Sequence, residues 1–226
     1  GLLWFGWFGF NAGSALAADG RAAHAFVTTW VAGGAGTVTW ALIQRFKTGT
    51  SSALGAATGA IAGLVAVTPA CGFVTPAGAL AIGIGAGFVC YAGILLKDRL
   101  GYDDSLDAFG VHGIGGLFGS IATAIFAWSS VGGTSGLIES GNLRLLGVQT
   151  LATVVVAAYS FAATWVIVKV LDATVGMRVS ESQEQRGLDL VEHGERAFSL
   201  TGLMPTIDLD DARLGERDKG DEERGG

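Results

Sequence analysis

Charge is scarce over most of this sequence. Residues 1–176 hold only seven Lys/Arg and seven Asp/Glu, far below the roughly one residue in four that is charged in a soluble domain. No basic run or patch is present in that stretch, which excludes a nucleic-acid-binding surface. Proline is limited to three residues and cysteine to two, Cys71 and Cys90. The cysteines have neither C-x-x-C nor Cys/His spacing, so they read as small hydrophobes and not as a disulfide framework or zinc site. No metal site and no cofactor is expected. There is also no basic start followed by a cleavage site, and no initiator Met, from which the chain is expected to be part of something longer.

What the sequence has in quantity is glycine and apolar side chains: 37 glycines, and half of all residues hydrophobic. Six apolar stretches, 1–18, 23–44, 53–70, 76–96, 105–128 and 145–172, are each about long enough to span a bilayer at roughly 20 residues per crossing. They predict an all-α, polytopic membrane helix bundle over 1–176. Gly55, Gly59 and Gly63, then Gly83 and Gly87, then Gly115 and Gly119 recur at every fourth position. That spacing lines one helix face with small residues, so that neighbouring backbones can approach in lipid, where hydrophobicity alone does not draw helices together.

Residues 177–226 differ. They carry seven basic and 13 acidic residues, which accounts for the whole net charge of −6. Leu188, Leu190, Val191 and Phe198 leave room for a docked segment, whereas disorder is expected after about 206. The connections containing Arg45/Lys47 and Lys97/Arg99 are the most basic and are expected on the cytoplasmic side. With six spans, the tail is then cytoplasmic too.

The ionisable residue that stands out is His112. Eight residues after Asp104 on a helix, it would lie roughly 12 Å into the bilayer. A histidine at that depth faces a cavity or is hydrogen-bonded between helices. Neutral imidazole offers one donor and one acceptor, so it can hold a small polar molecule or pass a proton without permanent charge. Asp104 and Asp107 have the spacing of a capping box at the positive end of that helix and are expected to be structural. At the other end of the chain, Leu3, Trp7, Phe10 and Ser14 belong to an aromatic-rich segment. It reads either as an interfacial belt or as a mouth that attracts small cations. His24 is expected at an interface, and His193 carries no site expectation.

Three runs and the tail carry a resemblance. Gly6-Trp7-Phe8-Gly9-Phe10-Asn11-Ala12-Gly13-Ser14, Ala60 through Val74, and Asp103-Asp104-Ser105-Leu106-Asp107-Ala108-Phe109-Gly110-Val111-His112-Gly113 resemble the ammonium transporter (Amt) family. So does the tail from Gly176-Met177-Arg178-Val179 to His193-Gly194-Glu195. The likeness covers about residues 1–200 and implies the sixth to eleventh helices of that fold: the second inverted five-helix repeat plus a long last helix. It implies ammonium/ammonia transport in a homotrimer in the plasma membrane, and control by a PII-type signal protein at the tail. By the same resemblance Phe10 would gate the outer vestibule, Ser14 would help recruit ammonium, and Trp7 and Leu3 would line the passage. His112 would be one of two pore histidines, and Asp104 a buried acid stabilising its helix. An ammonium sensor signalling through the tail is the alternative. A membrane-embedded enzyme is disfavoured, because the sequence pairs no nucleophile with a base.

Overall fold

A computed structural model describes residues 1–195. The chain divides into two compact units, Gly1–Thr164 and a second beginning at Trp165. The compositional break at 176 and this packing boundary differ. One continuous helix crosses from the first unit into the second, so the boundary follows contacts and not the helix end. The tail beyond 195, including the expectation of disorder after about 206, lies outside the described residues.

The first unit is helical. α1 covers Leu2–Gly13, α2 Gly20–Thr48, α3 Ala53–Val67 and α4 Pro76–Leu100. A π-helical turn at Phe109–Gly113 leads into α5, Ile114–Phe126, and two single turns come after it, α6 Ser129–Gly132 and α7 Leu137–Ser140. α8 starts at Arg144 and runs to Thr174. Among the described residues the only extended pairing is one antiparallel bridge, Val74 to Ala127. α2, α4, the π turn taken with α5, and α8 are long and apolar enough to cross a membrane. α3, at 15 residues, is shorter.

Local chemistry places the helix ends. Asp19 accepts from the N–H groups of Arg21 and Ala22 to open α2, and Ser52 accepts from Gly55 N–H to open α3. Thr75 does the same for α4 through Gly78 N–H, with Pro76 in the first turn, where a missing N–H costs nothing. Gly49 and Gly101 close α2 and α4 in the left-handed conformation (φ 80° and 67°), which a side chain would resist.

The core lies where α2, α3, α4 and α5 meet, around the fully buried Leu64, Val67, Val74 and Ile82. Small residues set the distances. A Cβ at Gly63 would sit 2.1 Å from the Ala32 carbonyl oxygen, and one at Gly119 2.2 Å from that of Ala66. The four-residue glycine spacing therefore marks helix faces where backbone meets backbone or a neighbouring side chain closely. Two buried threonines add polar ties. Thr28 donates its hydroxyl to the Cys71 carbonyl at 2.8 Å, besides bonds within its own helix. Thr29 accepts from Asn11.

In the second unit, α9 (Glu181–Arg186) opens with a reciprocal capping box between Ser180 and Gln183, and α10 covers Leu188–His193.

Candidate functional site

α1 brings four of the predicted residues onto one face. Leu3, Trp7, Phe10 and Ser14 are spaced by four, three and four, which stacks them along a helix. The helix is fixed at three points. Trp7 Nε1–H donates to Thr68 Oγ1 at 2.8 Å on the end of α3, and the buried Asn11 amide donates to Thr29 Oγ1 at 3.0 Å on α2. Phe8 stacks on Phe26 with ring centroids 4.0 Å apart. Leu3 and Phe10 nonetheless remain 62% exposed. Ser14 donates its hydroxyl to the Phe10 carbonyl at 2.6 Å, which leaves the hydroxyl oxygen able to accept.

Trp7 joins this face to His112. Their rings stack with centroids 6.1 Å apart and planes inclined by 26°, and Phe10 meets Trp7 edge-on at 6.4 Å. The imidazole is exposed on the surface of this chain and has no hydrogen-bond or charged partner within the described residues. Exposure alone does not mark the site, because Leu2 and Phe5 of α1 are exposed as well. The distinguishing feature is an unpaired imidazole laid against an indole beside an otherwise apolar strip. Such a surface can solvate a small polar molecule at one point and can attract a cation to its ring faces.

The start of the helix bearing His112 differs from the sequence expectation. Helical backbone begins only around Ala108–Phe109, and His112 sits within the π turn, not two α turns into a regular helix. Asp104 does act as a cap: its carboxylate accepts from the N–H groups of Ala108, Phe109 and Gly110 at 2.8, 3.0 and 3.3 Å. Asp107 does not return the capping box. It adopts φ 55°, which turns its carboxylate away to Lys97 Nζ at 2.5 Å. A box needs its fourth residue in helical conformation, so the ion pair replaces it.

Two residues of this region, Thr68 and Lys97, escape a reading of the sequence. Thr68 stands there only within a motif, and its role depends on a residue 61 positions away. Lys97 counts there only as loop charge, although an opposite charge ten residues on is a visible signal. His24 is half-buried, with a ring nitrogen 2.8 Å from the Val74 carbonyl oxygen, which ties the N-terminal end of α2 to the turn after α3. No group of three or more His, Cys, Asp or Glu side chains suited to a metal occurs among the described residues.

Comparison with known proteins gives a consistent result. Residues 1–198 match the model of the Ammonium Transporter Family. The chain is 48% identical over 200 residues to an ammonium transporter of Bacillus subtilis, covering 87% of this chain and 49% of that protein. It is 48% identical over 198 residues to the ammonium transporter Amt1 of Archaeoglobus fulgidus, covering 88% and 50%. Among solved structures it is similar to Saccharomyces cerevisiae Mep2, with a TM-score of 0.77 at 34% identity over 89% of this chain and 47% of that one. A structure described as a sensor Amt protein gives 0.75 at 34% identity, over 84% and 46%. The chain thus spans about half the length of the curated relatives it matches.

Proposed function

We propose, from the premise that this chain belongs to the ammonium transporter family, that it supplies one wall of a pathway through which ammonium is recruited and ammonia crosses a membrane. The observation that carries this reading is the Trp7–His112 stack within the Leu3–Phe10 strip, exposed on a chain that covers half of its relatives' length. An apolar strip holding one unpaired imidazole is suited to face a second wall and enclose a narrow passage. The other wall is expected from a segment equivalent to the remaining half of those relatives.

The chemistry rests on the residues themselves. Phe10 and Trp7 offer ring faces to a cation, and the Ser14 oxygen replaces one of its water contacts. Moving a bare cation along an apolar bore would cost many kcal/mol, whereas a neutral molecule escapes that cost. Ammonium therefore gives its proton to water before or during passage, ammonia travels past His112, and the proton either stays outside or follows by a separate route. Neutral imidazole serves ammonia with either its donor or its acceptor nitrogen. Leu3 keeps the strip below Trp7 apolar. Asp104 acts indirectly, by capping the turn on which His112 sits.

In this reading the protein is a homotrimer in the plasma membrane with its C-terminal segment in the cytoplasm. A PII-type signal protein is the partner proposed for that segment. The transporter reading is preferred to a sensor, since relatives at 41–48% identity are described as ammonium transporters and the sensor Amt structure is 34% identical.

The test is His112→Ala in the full reading frame that encodes this chain, expressed in cells lacking their own ammonium transporters. Losing the polar contact to the passing molecule should slow methylammonium uptake about tenfold at unchanged expression. Uptake and selectivity equal to the parent would refute the assignment.

A further inference from the structure

The segment between α4 and the π turn is organised around one lysine. Lys97 lies in the last turn of α4, and its side chain is only 15% exposed. Its Nζ donates to Asp107 Oδ1 at 2.5 Å and to the Asp104 backbone carbonyl at 3.2 Å. Asp98, with a side chain 60% exposed, lies 3.4 Å away and is the weaker partner. The ammonium group thus touches both residues that define the turn. Asp104 caps Ala108, Phe109 and Gly110 with its carboxylate, and its carbonyl also accepts from Asp107 N–H at 3.0 Å. Asp107 in turn accepts from Val111 N–H at 2.9 Å through its carbonyl. Val111 directly precedes His112.

Two features of this segment are unfavourable in isolation. Asp107 and Leu16 are the only non-glycine residues with positive φ among those described. A π turn is itself rare, and such single turns are frequent at functional sites. Relaxing the π turn to α pitch would shift the register of α5 against it by about one residue, a rotation of about 100°. That rotation would carry His112 off the Trp7 face. Some contact must hold the turn open, and those of Lys97 are placed to do it.

We propose that Lys97 is a positioning residue: through Asp107 and the Asp104 carbonyl it fixes the π turn and thereby the direction of the His112 ring. This rests on the reading of His112 as a pathway residue. It assigns Lys97 no contact with the transported molecule.

The experiment compares Lys97→Met, Lys97→Arg and Asp107→Asn in the full reading frame. Hydrogen–deuterium exchange is monitored over peptides covering 108–113, beside methylammonium uptake resolved into KM and maximal rate. Asn tolerates positive φ at least as well as Asp, so Asp107→Asn removes the charge and keeps the turn sterically possible. It also serves where Lys97→Met folds poorly. Loss of a charged hydrogen bond should raise exchange about tenfold in Lys97→Met and Asp107→Asn. The maximal rate should fall with KM little changed, and Lys97→Arg should restore much of both. The double variant Lys97→Met/Asp107→Asn should be no worse than the more affected single one, because both remove the same pair. Parent-like exchange in Lys97→Met and Asp107→Asn would overturn the proposal, as would faster exchange with unaltered uptake. His112→Ala, run alongside, separates the two ideas. Unchanged uptake there sinks the pathway assignment, while exchange still decides whether Lys97 holds the turn.

Discussion

Gly119→Ala tests the claim that backbone contact between helices sets the position of the helix that carries His112. The added Cβ would stand 2.2 Å from the Ala66 carbonyl oxygen and 2.9 Å from Ala66 Cα. Carbon and carbonyl oxygen rest at about 3.3 Å at closest. α5 would have to withdraw from α3 by about 1 Å, since the obstacle is backbone and cannot change rotamer. Overpacking of this kind costs about 1–3 kcal/mol, and the gain in helix propensity returns at most about 1 kcal/mol. Gly78→Ala is the control. Its Cβ would lie 3.3 Å from the Cβ atoms of Phe126 and Val74 and 3.7 Å from the Phe126 carbonyl oxygen, so a shift of only a few tenths of an ångström relieves it. Melting of the purified full-length protein in detergent, monitored by tryptophan fluorescence, should place Gly119→Ala about 1–3 °C below Gly78→Ala. Uptake should fall in Gly119→Ala as the His112 turn is displaced. Equal melting of the two variants would refute the argument that close approach at Gly119 is obligatory.

Two further outcomes rest on single contacts. Trp7→Phe keeps a ring beside His112 and removes the donor to Thr68 Oγ1, whose own hydroxyl already donates to the Leu64 carbonyl at 2.8 Å. It should cost about 1 kcal/mol, and a double-mutant cycle with Thr68→Val should show coupling; strictly additive effects would exclude the bond. Glu139 is held below the usual carboxylate range by the Ser129 hydroxyl, with Ser129 N–H adding to the effect. A lowered folded pKa means that its contribution is complete above the unfolded value and is lost as pH falls through the folded one. The melting difference between parent and Glu139→Gln should therefore shrink on acidification, and a difference that grows would contradict the pairing.

Much of the helical framework was legible in the residues. The apolar runs near 20 residues marked the long helices, whereas the caps at Asp19, Ser52 and Thr75 and the closing glycines at 49 and 101 are local chemistry that the structure brought out. The spacing of Gly55, Gly59 and Gly63 announced a close face, and the geometry supplies what lies across it: the Gln44 side chain, Trp40 with the Gly36 carbonyl, and the Ala32 carbonyl. The candidate site was legible in part. Leu3, Trp7, Phe10 and Ser14 share a face by helical spacing alone, but nothing in that spacing brings His112 to Trp7. The capping box written into Asp104 and Asp107 failed because a third group competed. Lys97 offers Asp107 a charged partner, and a left-handed residue cannot serve as the fourth position of a box.

The sequence by itself determined that the chain makes apolar helices with small-residue faces and an acidic tail, because hydropathy, capping and helical period act within a few turns of chain. Tertiary structure alone decided that Trp7 reaches both Thr68 and His112, and that Lys97 closes on the Asp104–Asp107 turn. The Trp7 contacts join residues 61 and 105 positions apart, and all of these pairings depend on where packed backbones leave room for a side chain.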